Sequence, residues 1–431
     1  MDAERGLLAL MGSGETSPTM VTLHRELVAH LEPEPGAVVL ETPYAFQVNR
    51  DDISSRARDY FRRSVGLVTS VAPEAADATW GDSDGVRDRV RRAAWVFSGP
   101  GSPSYALERW AARGMDEVLV ERVRRGYGVT VMASAAACTT GFAALPVYEV
   151  YKAGHAPAWL DGLDMFGALG LPVAVIPHYD NAEGGTHDTR FCYLGEPRLS
   201  ALEKELPAES AVLGIDEHTA LIIDLDSSAA RVWGRGVLTV RRRGVSTLIP
   251  AGTSFTLDVL RGLVSGEEGA HTARPQPGSA DPSLVEQPAG DAPATLEEVV
   301  NDLEGRFDAA REKRDARRMT EFVLALEAAI AEWGADMEED QGGGEWARTV
   351  LRGLVRQLTA PAQQGMLEPE RSLGRVLAPL LEYRRRLRAQ GAYGQADELR
   401  DVLARGGVEV RDTGGAGLWL LSDAPPRPSR E

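Results

Sequence analysis

The sequence predicts a doubly wound, mostly parallel α/β sheet, followed by a small all-α bundle with a terminal β-hairpin. Three observations predict it. Short apolar runs of strand length alternate with helical stretches as far as about residue 265, and each run closes on glycine or polar residues. One of these runs, Gly128 to Ala133, passes at Ser134 straight into the small-residue stretch Ala135-Ala136-Ala137-Cys138, the mark of a strand-to-helix corner. Beyond a Pro- and Gly-rich stretch that starts at Ser265, apolar residues recur every three or four positions, which is a helical period.

Taken in order, Gly6 to Met11 is a first buried run and opens into Gly12-Ser13-Gly14-Glu15. Ser17 before Pro18 then marks the start of a helix reaching about Leu31, because proline suits a first helical turn. Ala37–Thr42 is a second strand and Arg50–Val65 a charged helix. Ala94–Ser98 is a strand that ends in Gly99-Pro100-Gly101-Ser102-Pro103, with a helix from near Ser104. Val173–Ile176 ends at Pro177-His178, and Ala211–Ile215 ends at Asp216-Glu217. Leu221–Leu225, Ala230–Trp233 and Val237–Val240 add β-ribbon, and Thr253–Val264 reads as a closing helix. These elements set a first domain at 1–265.

Residues 266–294 are poor in large apolar side chains and rich in turn formers, the composition of a semi-extended linker. Helices follow at Thr295–Lys313, Asp315–Trp333, Ala347–Leu358, Ser372–Gln390 and Tyr393–Arg405, with an acidic, glycine-rich loop at Asp336–Glu345. Val408–Arg411, the turn Thr413-Gly414-Gly415 and Leu418–Leu421 predict a small hairpin. The second domain is thus expected at 295–421, before a disordered tail at 422–431.

Composition excludes several classes. The 431 residues are 43% hydrophobic and 26% charged, ordinary for a globular protein, and the net charge of −17 argues against broad adhesion to nucleic acid or anionic membrane. The two cysteines, Cys138 and Cys192, form no CxxC and no ligand-spaced cluster with histidine. No metal or other cofactor is expected. The sequence starts without a basic and apolar leader and contains no long uncharged apolar run, so a cytoplasmic protein without a membrane partner is expected.

Acyl transfer needs a nucleophile, a base, an acid to orient the base, and donors for an oxyanion. The strand ends offer all four, on what reads as the rim of one sheet. Ser134 on its corner is the candidate nucleophile, with helix capping as its plainer alternative. His178, held behind a strand by Pro177, is the candidate base, and Glu217 the candidate orienting acid. A structural histidine, and a Glu217 or Asp216 that only caps a turn, are the alternatives. The N–H groups around Gly99 and Gly101, together with that of Ala135, are the candidate oxyanion donors.

The stretches Met11-Gly12-Ser13-Gly14-Glu15, Phe97-Ser98-Gly99-Pro100-Gly101, Ala133-Ser134-Ala135-Ala136-Ala137, Pro177-His178, Gly185-Thr186-His187-Asp188-Thr189-Arg190 and Gly214-Ile215-Asp216-Glu217-His218-Thr219-Ala220 resemble the dipeptidase E and cyanophycinase family of serine peptidases. That family has a flavodoxin-like, class I glutamine amidotransferase-like fold. The resemblance covers residues 6–265 and implies a Ser134-His178-Glu217 triad cleaving small acidic or isoaspartyl peptides, or amides. Arg190 is then a candidate clamp for a substrate carboxylate, with Asp188 and Glu15 as further substrate-binding candidates. A loop salt bridge is the alternative for Arg190. Met132 and Ala136 stand where the family has small residues, usually glycine, so a side chain the size of Met132 is expected to crowd the turn. Pro146 to Lys152 and Tyr179-Asp180-Asn181-Ala182-Glu183 lie outside the family pattern and suggest a subgroup with its own substrate. Amidotransferases on this fold use cysteine at the corner; Cys138 lies one turn on, so that chemistry is not expected.

Leu381 to Asp401, continued by Gly407-Val408-Glu409-Val410-Arg411-Asp412-Thr413, is similar to the C-terminal end of cysteinyl-tRNA synthetases. The synthetase HIGH and KMSKS signatures and zinc ligands are absent from the sequence, so aminoacylation is not expected. Arg384, Arg385, Arg386 and Arg388 are candidates to meet tRNA phosphates, against a solvated basic helix face; protein docking or homodimerisation is equally open. Two functions follow: a serine hydrolase with an appended tRNA- or protein-binding module, or an inactive pseudo-hydrolase serving as an adaptor.

Overall fold

The computed structural model describes residues 6–32, 36–74, 83–182, 184, 187–266, 294–334, 342–358, 369–411 and 418–421. Nearly all of the expected linker, the expected tail, the turn at Thr413-Gly414-Gly415, Gly185 and Thr186 lie outside the described residues. The chain divides into two compact units, Met1–Leu296 with Ala329–Glu345, and Glu297–Ala328 with Trp346–Glu431.

The first unit opens with β1 (Leu7–Met11), α1 (Val21–Ala29), β2 (Ala37–Leu40), α2 (Arg50–Tyr60), β3 (Ser70–Ala72), α3 (Ser83–Arg92), β4 (Trp95–Ser98), α4 (Pro103–Arg113), α5 (Met115–Arg125), β5 (Val129–Ala133) and the one-turn α6 (Ala135–Cys138). It continues through β6 (Ala143–Ala144), α7 (Val147–Tyr151), β7 (Leu160–Asp161), β8 (Val173–Ile176), α8 (Gly195–Leu202), β9 (Ala211–Ile215), β10 (Thr219–Asp224), β11 (Ala229–Gly234), β12 (Val237–Arg242), β13 (Val245–Pro250), β14 (Ser254–Thr256) and α9 (Leu257–Ser265). The stretch read as one helix from Thr253 therefore begins as a strand.

An eight-stranded sheet runs β14-β11-β10-β1-β5-β4-β2-β3, its members from β1 to β3 parallel and the others antiparallel. Met11 pairs with Ala133 and Ser98 with Met132, so the chain leaves β1, β4 and β5 on one rim, at Gly12, Gly99 and Ser134. Successive residues of β1 feed opposite core layers: Leu8 and Leu10 join one, and Leu7, Ala9 and Met11 the other. Burial on both faces is why these strands are continuous apolar runs rather than alternating ones.

His178 and Glu217 do not follow strands of that sheet. They follow β8 and β9, parallel neighbours in a second, six-stranded sheet ordered β13-β12-β9-β8-β6-β7. The single rim expected from the sequence is in fact two rims, because the chain crosses into the second sheet between β5 and β6 and returns to the first only between β9 and β10. Gly12 is the joint. Its N–H donates to Thr219 O at 2.9 Å, its carbonyl accepts from His178 N at 3.3 Å, and a Cβ there would lie 2.0 Å from Asp216 O. No side chain fits between backbones so close.

Further along, α10 (Leu296–Glu312) and α11 (Ala316–Trp333) are followed by α12 (Gly342–Gln357), α13 (Pro369–Ala389), α14 (Tyr393–Arg405) and the hairpin β15 (Val408–Arg411) and β16 (Leu418–Leu421), all in the second unit save Leu296, the end of α11 from Ala329 and the start of α12 as far as Glu345. The helix α12 starts at Gly342, inside the stretch read as loop. Leu377 of α13, Leu403 of α14 and Val408 and Val410 of β15 share one core, with Trp419 of β16 packed on it.

Candidate active site

Ser134 sits between β5 and α6 with φ 47° and ψ −119°, a conformation rare for a residue with a Cβ. Holding it costs ~1–3 kcal/mol, which the surrounding structure must supply. Its N–H donates to Met11 O at 3.0 Å, and Ala136 N donates to Gly99 O at 3.2 Å, so the corner is clasped by β1 and by the glycine loop. Met132 does not crowd it. Its side chain is wholly buried and points into the core layer that holds Leu10, Val96 and Ala136. The turn keeps its strained geometry with methionine in place.

Ser134 Oγ lies 3.0 Å from His178 Nε2, and His178 Nδ1 lies 2.9 Å from Glu217 Oε1. An ionised carboxylate only accepts, so Nδ1 carries the hydrogen and Nε2 is left to accept from the serine hydroxyl. All three side chains are brought together. His178 also has positive φ (46°), and so does the run Phe191, Cys192 and Tyr193 that braces it, where Cys192 N donates to His178 O at 3.1 Å. Burial pushes the Glu217 carboxyl up, but the hydrogen bond and charge of His178, with help from Asn181 and His218, outweigh it and hold it below the usual range. Next to it Asp216 is pushed up to about 6, by burial first and then by the charge of Asp180.

The N–H groups of Gly99, Gly101 and Ala135 meet no protein acceptor among the described residues. Gly101 has φ 134°, and a Cβ there would lie 2.1 Å from Pro43 O, so this loop needs glycine. Glu15 does not face solvent: it is fully buried behind the loop, with Oε1 against Gly99. His24, whose pKa burial lowers to about 4, donates from Nε2 to Glu15 O at 2.7 Å and fixes that backbone. Arg190 forms the loop ion pair, with Nε and a terminal nitrogen 2.8 and 2.9 Å from the two Asp188 oxygens. Cys138 is buried, its thiol pushed up to about 12 by that burial, and it is no nucleophile. Among the described residues no His, Cys, Asp and Glu group is arranged to hold a metal, and no helix is long and apolar enough to cross a membrane.

One residue of the constellation was not read as a site residue. Asn181, wholly buried, donates from Nδ2 to Glu217 Oε1 at 3.0 Å. The signal was the unusual stretch Tyr179 to Glu183; what it lacked was any hint that Asn181 and Glu217 meet.

In the second unit, α13 and α14 are locked by Arg384, which is 4% exposed and donates from Nε to Ala396 O at 3.2 Å. Residues 375–419 match the family model of the cysteinyl-tRNA ligase anticodon binding domain. Over 108 residues the chain is also 30% identical to the cysteine–tRNA ligase of Chlorobaculum tepidum, covering 24% of this chain. That match spans only 22% of the ligase. Among solved structures, the chain is similar to a peptidase from an acI-B1 actinobacterium at 20% identity and TM-score 0.45, covering 58% of this chain and 97% of that one. It is similar too to a putative peptidase E protein from Listeria monocytogenes, at 15% identity and TM-score 0.37, covering 53% and 98%. Within the anticodon-domain-like segment, burial removes Arg384 from the arginines expected to meet phosphates. Arg385 is exposed and paired with Glu382 at 2.8 Å, and Arg388 is half-buried.

Proposed function

We propose that this chain is a serine hydrolase that cleaves small peptides or amides through an acyl-enzyme. The observation that carries the reading is the unbroken relay from Ser134 Oγ through the His178 ring to Glu217 Oε1, at 3.0 and 2.9 Å, beginning on a strained corner. Ser134 Oγ attacks the carbonyl carbon as its proton passes to His178 Nε2. Glu217 stays ionised, keeps the proton on Nδ1 and stabilises the imidazolium. The oxyanion accepts from the N–H of Ala135 and of the Gly99 to Gly101 loop. Collapse expels the amine, which takes the proton from Nε2. Water, deprotonated by His178, then releases the acyl group and restores Ser134.

Small acidic or isoaspartyl peptides are the substrate class to test first. Arg190 is the residue proposed to meet the substrate carboxylate, exchanging Asp188 for it. The C-terminal module is proposed to bind tRNA or a protein, a reading supported by the domain match at residues 375–419. A fluorophosphonate should label Ser134, and the label should vanish in Ser134→Ala and His178→Ala. A folded protein that takes no label, yet shifts tRNA in a salt-dependent way, would instead favour the adaptor reading.

A further inference from the structure

We infer that Asn181 is a positioning residue of this site, setting both the orientation and the basicity of the Ser134-His178-Glu217 relay; the inference rests on the hydrolase reading. Two bonds tie Asn181 into the relay from opposite sides. Its Nδ2 donates at 3.0 Å to Glu217 Oε1, the same oxygen that His178 Nδ1 meets at 2.9 Å. Its backbone N–H donates to His178 O at 3.2 Å, closing the left-handed turn that carries the imidazole. Asn181 is itself fixed: it is wholly buried, and its carbonyl accepts from Thr189 Oγ1 at 3.3 Å.

The chemistry follows from that shared oxygen. A carboxylate oxygen with one donor is free to swing and concentrates its charge on the imidazole. With a second, neutral donor on it, the oxygen is held in place and its pull on the imidazolium is tempered. The other charged or titratable groups facing this pair are Asp180, whose Oδ1 accepts from Glu217 N at 2.8 Å, and Asp216, His218 and Cys192. Among the described residues the donors on Glu217 Oε1 are His178 Nδ1 and Asn181 Nδ2, so Asn181 supplies the neutral one. The stretch Tyr179 to Glu183, which the resemblance left unexplained, thereby acquires a use: Asp180 holds the backbone of Glu217 and Asn181 its carboxylate.

The test needs no knowledge of the natural substrate. The second-order rate of fluorophosphonate labelling at Ser134 is measured against pH on the full chain, for the wild type, Asn181→Leu and Asn181→Asp, with circular dichroism to check folding. Loss of the donor in Asn181→Leu is expected to raise the apparent pKa of the acid limb by about 0.5–1 unit and to lower the plateau rate about tenfold. Asn181→Asp, which adds a like charge at the same size, should move the acid limb further up. Unlabelled wild type would defeat the hydrolase reading itself. A labelled wild type whose acid limb stays in place in both folded variants would overturn the inference alone, since a merely structural asparagine changes stability and not the pKa. Should Asn181→Leu fail to fold, Asn181→Asp decides by the same criterion.

Discussion

Replacing Glu217 by glutamine removes one charge and almost no volume, and the structure sets how much that should cost. With Nδ1 and Oε1 2.9 Å apart, the charge centres of imidazolium and carboxylate lie about 4 Å from each other. At an effective dielectric of about 20 such a pair is worth ~4 kcal/mol, and partial exposure of Glu217 reduces this to ~3 kcal/mol. That stabilisation exists only once His178 has taken the serine proton, so its loss falls on the transition state, a decrease of about 10²–10³-fold. A glutamine can also present its NH₂ to the ring and trap the wrong tautomer, at a loss of about 10⁴-fold. Here Asn181 Nδ2 donates to Oε1, so the amide oxygen should remain at that position and the tautomer should survive. Fluorophosphonate labelling of Ser134 in Glu217→Gln should therefore be slowed 10²–10³-fold, with the acid limb moved to lower pH by about 1–2 units as the imidazole loses its anionic partner. An unchanged rate and pH profile in the folded variant would refute the assignment of Glu217; a drop near 10⁴-fold would refute the claim that Asn181 governs the amide.

Further outcomes follow from the same geometry. Gly101→Ala sets a methyl 2.1 Å from Pro43 O at φ 134° and should destabilise the first unit by ~2–4 kcal/mol in urea unfolding. Met132→Gly restores the small residue usual at such corners but empties a fully buried site, so it should cost ~3–5 kcal/mol without faster labelling; a rate gain would show that Met132 does strain the corner. Asp216 has its pKa raised to about 6, so the folded state holds its proton more tightly than the unfolded one, and its contribution to stability declines as pH rises from about 4 to 6. Asp216→Asn, which can still accept from Val237 N, should remove that slope and stabilise the protein at pH 7 by ~2–3 kcal/mol. Arg385→Ala should weaken any tRNA shift without unfolding the second unit, whereas Arg384→Ala should lower its melting temperature, because only the second is buried against α14.

Much of this was legible in residue order because strand and helix periods, capping residues and turn formers act over a few residues. The corner at Ser134, the glycine loop at Gly99 to Gly101 and the switch to helical spacing past residue 294 are all local events, and each was read where it occurs. His178 and Glu217 stood out as candidates for the same local reason, since each lies two residues past an apolar strand. Other features depend on packing between distant segments. An apolar run buried on two faces looks the same in either sheet, so the crossing from β5 to β6, and with it the second rim, needed the tertiary fold. Whether Met132 crowds its turn turned on which core layer its side chain enters. That Arg384 is buried by a helix folded back upon it, and that Asn181 shares with His178 an oxygen of the distant Glu217, are likewise settled by contacts which spacing alone does not encode, whereas the Arg190–Asp188 pair is a local one that the sequence already offered.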